Sequence, residues 1–415
     1  MTEPKHIHVI GAGIVGVATA IWLQRDGHHV TLIDKAGPGE GTSYGNGGVL
    51  ASCAVVPVTV PGLVRKAPAM LFDSTKPLFL KWRYLPKLLP WLGKYLKHAN
   101  AADARRIAKA LTPLIGDSLA DHQALSAGTD AAKFVVPGDY IYAYPDRAAF
   151  LGDAFGWDVR KANGFEWSEI DLGSYDPVFA ENLSFGIQLP NHGRITDPGA
   201  YVKHLAKHFA TNGGRILKGE ISGFQRNGGR LTHLKIDGSS LTCDAAVLAT
   251  GVWSKPLAGK LGLSIPLESE RGYHIDLWDP SIMPNAPTMV AAGKFVATPM
   301  EGRLRLAGVV EFGGLDAPPS EPPFELLERS ARAALPGLTW SRAERWMGHR
   351  PAPADSIPVI GEVPGWRGLY MAFGHHHVGL TGGPKTGRLV AQMISGRKPN
   401  VDVACYSPAR FGGSK

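Results

Sequence analysis

The chain has 415 residues, 44% hydrophobic and 19% charged. This is ordinary globular usage, which excludes a mainly disordered chain and predicts two or three domains at about 100–200 residues each. Three cysteines, Cys53, Cys243 and Cys405, are too few and too scattered for a disulfide scaffold, a zinc site or an iron–sulfur cluster, and they predict a reducing compartment. The net charge of +8 is local: residues 63–98 hold eight lysines and arginines against the single acid Asp73, so they carry +7 of it. A nucleic-acid-binding protein spreads its basic face over the fold, so no nucleic-acid partner is expected. MTEPK at the start lacks a secretory n-region, and no apolar run reaches the roughly 18–20 residues that span a bilayer. A cytoplasmic protein is expected.

In chain order, residues 6–10 (HIHVI) read as a strand. Residues 14–26 read as an apolar helix closed by Gly27, and residues 29–34 (HVTLID) as a second strand. This unit fits in 29 residues, as a parallel crossover requires. Residues 35–48 form a glycine-rich loop. Between 63 and 98, Leu78, Trp82, Leu85 and Leu89 recur at helical spacing, interrupted by Pro77, Pro86 and Pro90, which predicts a helical subdomain or a lid. Residues 102–127 read as one helix with Ile107, Leu111, Leu114, Ile115 and Leu119 on its apolar face. Residues 134–144 read as strands turning at Pro137-Gly138.

Asp197 followed by Pro198 predicts a capped helix running to about residue 211. A strand over 215–224 enters a hairpin through Asn227-Gly228-Gly229, and 245–249 is a buried strand closed by Thr250-Gly251. Residues 324–335 read as a helix, 369–373 as a last strand and 386–395 as a last helix. There is no internal repeat. Nucleotide-type signals stand at both ends and in the middle. The expected class is therefore α/β: a Rossmann-like domain of residues 1–55, 193–270 and 340–415. It is interleaved with a sheet-based α+β substrate-binding domain of residues 56–192 and 271–339, whose segment 63–98 is the helical or lid element.

Gly11-Ala12-Gly13-Ile14-Val15-Gly16 is GxGxxG between a strand and a helix. Gly11 permits the tight turn, Gly13 lets backbone approach a pyrophosphate, and Gly16 allows close helix–sheet packing. The helix N-terminus at Ile14 and Val15 offers free N–H groups and a partial positive charge to an anion. Asp34, 18 residues after Gly16 and next to Lys35, can accept both ribose hydroxyls and repels a 2′-phosphate. The motif starts at residue 11, a second glycine-rich loop follows at 41–48, and no second strand–GxGxxG–helix unit appears. One tightly held FAD is the simpler reading.

On these residues the chain resembles the FAD-dependent amine and amino-acid oxidoreductases of the D-amino-acid oxidase type, and within them is most similar to the D-amino-acid dehydrogenases. GAGIVG with Asp34 matches the FAD start. GTSYGNGG, with Thr42, Ser43, Asn46, Gly47 and Gly48, matches the loop that passes the pyrophosphate. Ala249-Thr250-Gly251-Val252-Trp253-Ser254 matches AxGxWS. Gly348-His349-Arg350-Pro351 with Asp355, Pro358 and Gly361 matches GxRPxxxDxxPxIG. Gly374-His375 with Gly379 and Thr381 matches GHxxxGxT. Residues 55–190 are much less specific. The resemblance implies that the strand at Ile221 meets the adenine, that Thr250-Gly251 approaches the cofactor with Trp253 either packed on it or in the core, and that Gly374, His375, Gly379 and Thr381 deliver backbone N–H groups to the flavin pyrimidine.

Arg350 is the leading catalytic candidate. A guanidinium is permanently charged and pairs bidentately with a planar carboxylate, and the resemblance implies that it clamps the substrate carboxylate over the flavin. Its alternative is a structural ion pair with Asp355 or another acid. Tyr273 can donate to the same carboxylate and Arg271 can be a second anion contact, against the alternative of a structural strand. Three successive histidines at 375–377 cannot all face one ion, so no metal site is expected; His376 and His377 face substrate or solvent. The proton acceptor stays open among Tyr44, His274 and His376. Related sarcosine oxidases tether flavin through a cysteine two residues before the Arg350 position; Gly348 here implies a non-covalent FAD.

The implied activity is FAD-dependent oxidative deamination of a D-amino acid to the imine and 2-oxo acid, with hydride passing from Cα to flavin N5. The alternatives are oxidation of a cyclic or secondary amino acid (D-proline, hydroxyproline, sarcosine) and a flavin subunit of a hetero-oligomeric amine oxidase. The basic, aromatic segment 63–98 suits an anionic membrane surface and a quinone or other electron carrier, or else is an ordinary solvated face. Peripheral attachment to the inner face of the cytoplasmic membrane and homo- or hetero-oligomers are open.

Overall fold

His6–Ile10 alternates its side chains between two apolar layers, as a strand of period two must. Ile7 and Val9 join one buried cluster and Ile10 joins another. Strands covered on both faces are typically parallel, and His6–Ile10 runs parallel to His29–Asp34 on one side and Ala245–Leu248 on the other. In the computed structural model, which describes residues 3–65 and 77–412, these strands are the middle of a nine-stranded sheet. Its order is Ser239–Thr242, Arg230–Ile236, Trp366–Phe373, Ala245–Leu248, His6–Ile10, His29–Asp34 and Arg215–Lys218; Val359–Val363 flanks Trp366–Phe373 and Ile221–Asn227 flanks Arg230–Ile236. The start, middle and end of the chain share this sheet.

The strand expected over 215–224 is thus two strands, broken at Gly219-Glu220, that pair with different neighbours. Helix Pro198–Thr211 starts as its sequence predicts, with the Asp197 carboxylate accepting from Ala200 N at 2.9 Å. The helix expected over 102–127 is two, Ala101–Ile115 and Ser118–Ser126, separated at Gly116-Asp117. Ile107, Leu111, Leu114 and Ile115 are buried as expected.

The last helix starts earlier than its sequence suggests, running Gly379–Ile394 through Gly382, Gly383 and Pro384. Small residues let it lie against helix Ile14–Arg25: a Cβ on Gly387 would stand 2.6 Å from Thr19 N. Pro384 has no N–H to give to Leu380 O, four residues back. His122 Nε2 lies 2.9 Å from that carbonyl, while His122 Nδ1 lies 2.9 Å from Tyr201 Oη. A carbonyl only accepts, so Nε2 carries the proton and the imidazole is neutral; burial pushes its pKa down to about 4.

The second sheet also has nine strands. Its order is Arg342–Pro353, Leu267–Trp278, Arg303–Phe312, Phe295–Met300, Thr288–Val290, Val135–Tyr144, Phe185–Ile195 and Ser168–Asp171, with Leu78–Leu80 beside Arg303–Phe312. The expected domain boundary at 270/271 falls inside one of these strands, and Arg342–Pro353 pairs with that strand throughout. Pro137-Gly138 is not a turn. The strand continues, and its register against Phe185–Ile195 shifts between Gly138 and Tyr140, where Pro190 and Asn191 of that bulged strand oppose the single residue Asp139 and Asn191 takes φ +58°.

In the basic segment, residues 66–76 lie outside the described residues. Beyond them, helix Leu85–Lys97 carries Pro86 in its first turn, where a missing N–H costs nothing, and tolerates Pro90. It buries Leu88, Trp91 and Tyr95; Trp82 and Leu89 of the expected stripe are exposed. No helix among the described residues is long and apolar enough to cross a membrane.

Replacing His122 by Ala strands the Leu380 carbonyl and should cost about 1–3 kcal/mol in denaturant unfolding. Because the folded imidazole resists protonation, wild-type stability falls as pH drops from about 6.5 toward 4. That fall should be shallower in His122→Ala.

Candidate active site

Both sheets contribute to one cavity of ≈ 1330 Å³, larger than the roughly 300–1,000 Å³ of a drug-sized ligand site. At one end stands the strand–turn–helix of the GxGxxG motif. Gly11 has φ +101°, and a Cβ there would lie 2.5 Å from Ala249 O. A Cβ on Gly16 would lie 1.8 Å from Gly11 O, so Gly16 packs the turn and does not border the cavity. Gly13, Ile14 and Val15 do border it. Neither this helix nor Gly379–Ile394 has a capping side chain on its own N-cap residue or an acid in its first turn; both N-termini border the cavity, at Ile14 and Gly379, with Ile14 N taken up by Ser43.

Asp34 borders the cavity beside Lys35, and its carboxylate also braces the turn. It accepts from Ala12 N at 2.7 Å, Ala36 N at 2.8 Å and Gly37 N at 2.9 Å. The loop at 41–48 is tied down along its length. Ser43 Oγ accepts from Ile14 N at 3.0 Å, Thr42 Oγ1 donates to His349 O at 2.8 Å, and Thr298 Oγ1 donates to Gly47 O at 2.7 Å. Arg305, paired with Asp276 at 2.6 and 2.7 Å, donates to Asn46 O at 2.8 Å. Thr42, Ser43, Asn46 and Gly47 border the cavity, whereas Gly48 packs against Met300 and Ile195. Ile221, Thr250, Gly251 and Trp253 line the same stretch, with Lys35 Nζ 5.0 Å from the centre of the Trp253 ring.

The second sheet supplies the other wall, and period two decides which side chains reach it. On Leu267–Trp278, Glu270 and Gly272 border the cavity. Arg271 and Tyr273 point the opposite way. Arg271 Nη1 lies 2.9 Å from Glu311, and the Tyr273 hydroxyl donates to Glu311 at 2.6 Å. Arg271 does not border the cavity; Tyr273 does, but its hydroxyl is committed and its pKa is pushed up to about 12 by burial and Glu311. The expectation that these two groups receive a carboxylate is therefore not met: they form a buried structural cluster. His274 and Tyr44 also lie off the cavity. His274 Nδ1 lies 2.9 Å from Gly45 O, and burial, then Arg305, bring its pKa down to about 3.

Arg350 stands directly across from Glu270 on the neighbouring strand and borders the cavity. Its guanidinium donates to Val309 O at 3.2 Å and Gly308 O at 3.3 Å, and it lies over Gly272, where a Cβ would come within 2.5 Å of it. Asp355, the alternative partner weighed from sequence, pairs with Arg410 at 2.8 Å instead. No carboxylate among the described residues reaches Arg350 as an ion pair; Glu270 acts on it from farther away, opposing the lowering of its pKa by burial.

Glu270 gives its near contact to His376, whose Nε2 is 3.0 Å from Oε1. His376 is buried, has φ +51°, and places Nδ1 2.8 Å from His377 Nδ1. His377 is open to the cavity while enclosed by protein; burial, then His376 and Arg350, bring its pKa down to about 3. His375 turns inward to Thr386 Oγ1 at 2.9 Å. Gly374, His375, Gly379 and Thr381 all border the cavity. Sequence reasoning missed Glu270. Its signal was the alternation that put Arg271 and Tyr273 on the other face.

A cavity bordered by two helix N-termini, a glycine turn open at Gly13 and, at its other end, the Arg350 guanidinium fits a dinucleotide carrying a large ring. Residues 6–393 match the family described as FAD dependent oxidoreductase (DAO). The chain is 39% identical to a D-amino-acid oxidase of Bradyrhizobium diazoefficiens over 99% of its own length and 100% of that protein's. It is 29% identical to a D-amino acid dehydrogenase of Rhizobium rhizogenes over 98% and 100%. Among solved structures, a glycine oxidase from Geobacillus kaustophilus superposes with TM-score 0.75 at 22% identity, covering 99% of this chain and 100% of that one. An L-proline dehydrogenase from P. horikoshii gives 0.73 at 19%, covering 99% and 98%. The chain belongs to the DAO family of FAD-dependent oxidoreductases.

Proposed function

We propose that the chain oxidises a D-amino acid to its imine, which water then converts to the 2-oxo acid and ammonia, with the substrate carboxylate held by Arg350. The observation that carries this reading is a guanidinium enclosed by protein but open to the cavity, backed by the Gly308 and Val309 carbonyls and lacking a carboxylate partner among the described residues. Burying such a charge is stable only with compensation, and a substrate carboxylate completes it bidentately. The likeness to the Bradyrhizobium D-amino-acid oxidase supports the substrate class. Bound FAD supplies the hydride acceptor. In this reading the first sheet and its helices hold the dinucleotide and the second sheet holds the substrate. The cofactor is non-covalent, since Gly348 offers no thiol.

The protein's task is positioning. Arg350 fixes the carboxylate, and His376, held by Glu270 on the cavity wall, takes a proton from the substrate ammonium. This replaces the roles expected of Tyr273, Arg271, His274 and Tyr44. The partner reading is that exposed Lys87, Leu89, Lys94 and Lys97 of helix Leu85–Lys97 meet an anionic membrane surface. Cosedimentation with phosphatidylglycerol vesicles but not phosphatidylcholine vesicles is expected, and equal recovery from both would remove it.

Anaerobic addition of D-alanine, D-proline, hydroxyproline and sarcosine should bleach the flavin absorbance most rapidly with a primary D-amino acid. The purified chain should do so without a second subunit. Arg350→Met should lower kcat/KM by the about 2–5 kcal/mol of a buried charge-assisted pair; unchanged kinetics would take Arg350 out of the site.

Burial raises the pKa of Glu270, but His376 and then Arg350 outweigh it and hold the carboxyl below its usual range. Ionised Glu270 therefore adds stability above about pH 4.3, and that contribution drains away as pH falls through the lower folded value. Glu270→Gln should flatten the acid limb of Tm against pH. A limb as steep as wild type would assign it to other carboxylates.

A further inference from the structure

A second arginine borders the same cavity, and the family match does not account for it. Arg160, on helix Ala154–Ala162, donates from Nε to Cys53 O at 3.2 Å and from Nη2 to Tyr142 Oη at 3.2 Å. Its guanidinium lies 4.6 Å from the centre of the Trp157 ring. Its polar neighbours are the hydroxyls of Tyr140, Tyr142 and Tyr144 and the Cys53 thiol, and no carboxylate among the described residues forms an ion pair with it. The nearby acid of the wall, Asp153, lies 3.2 Å from the Tyr144 hydroxyl, which donates to it.

The two arginines stand at opposite ends of one row. Ala307, Val296, Met289 and Tyr142 are successive cross-strand neighbours on four adjacent strands, and all four border the cavity. Arg350 sits at the Gly308 end and Arg160 at the Tyr142 hydroxyl. Three strand spacings separate these anchors, about 14 Å. Between the two guanidinium groups the floor of the row is the apolar Val296 and Met289. Cation, apolar floor, cation is the complement of carboxylate, methylenes, carboxylate.

We propose that Arg160 anchors an anionic substrate side chain, so that the preferred substrate is an acidic D-amino acid of the D-glutamate type. This rests on reading Arg350 as the α-carboxylate clamp. Arg160 is a specificity residue: it touches the distal carboxylate and takes no part in hydride or proton transfer.

The test compares D-glutamate with its neutral isostere D-glutamine in holoenzyme, read as kcat/KM and as the rate of anaerobic flavin bleaching. Wild type should favour D-glutamate by about 30-fold or more, the discrimination of one buried charge pair. Arg160→Leu should erase that preference while leaving D-glutamine within a few-fold, and Arg160→Lys should retain part of it. Equal rates in wild type, or an equal loss for both substrates in Arg160→Leu with an unchanged circular dichroism spectrum, would overturn the proposal. Calorimetric binding of glutarate against butyrate separates it from the underlying reading. A glutarate preference that disappears in Arg160→Leu, with no D-amino acid oxidised, would sustain the anion subsite and sink the D-amino-acid reading. Absence of any glutarate preference would sink the subsite.

Discussion

The cavity is organised around a permanent positive charge that the fold buries without giving it an ion-pair partner. The effective cost of taking one such ion out of water is several kcal/mol even after relaxation. Arg350 recovers part of that through two carbonyls of Arg303–Phe312, one strand beyond its neighbour, and part through Glu270, its partner on the neighbouring strand. Glu270 is in turn held by His376. What remains is an electrostatic deficit pointing into the cavity. A low-dielectric wall amplifies it, and an anion of the right shape relieves it.

The same strand separates chemistry from support by parity alone. Even positions 270 and 272 of Leu267–Trp278 give a carboxylate and a space to the cavity, while odd positions 271 and 273 give an arginine and a tyrosine to a buried cluster around Glu311. Farther along, Asp276 grips Arg305, whose other hydrogen bonds hold the carbonyls of Tyr44 and Asn46. The second sheet thus fixes the loop that the first sheet presents. Local stiffness in one layer becomes positional accuracy in the other.

The nucleotide half was legible because its signals are local: a five-residue strand, a glycine turn, a helix and an acid occur within 29 residues, each with one physical reading. Arg350 was legible from its motif. The errors came where neighbours distant in sequence decide. Pro384 looks like a helix breaker until His122, 262 positions earlier, takes up the carbonyl it abandons. Pro137-Gly138 looks like a turn until the opposing strand, itself bulged at Pro190-Asn191, shows it to be continuous strand. Tyr273 and Arg271 have suitable chemistry for a carboxylate, and only the pleat shows that they face away from it. Arg160 and Glu270 carry no motif, because what distinguishes them is their place on the cavity wall, which only the fold shows.

Gly348 and Gly45 both make room for Trp346. A Cβ at either position would fall 1.9 or 2.0 Å from a carbon of that indole, whose ring is stacked on His274 with centroids 5.1 Å apart. A thiol installed at 348 to anchor the prosthetic group would therefore collide with the indole before it could react. Converting this chain into a tethered flavoenzyme needs the tryptophan reduced first, and with it the stacking that steadies the histidine.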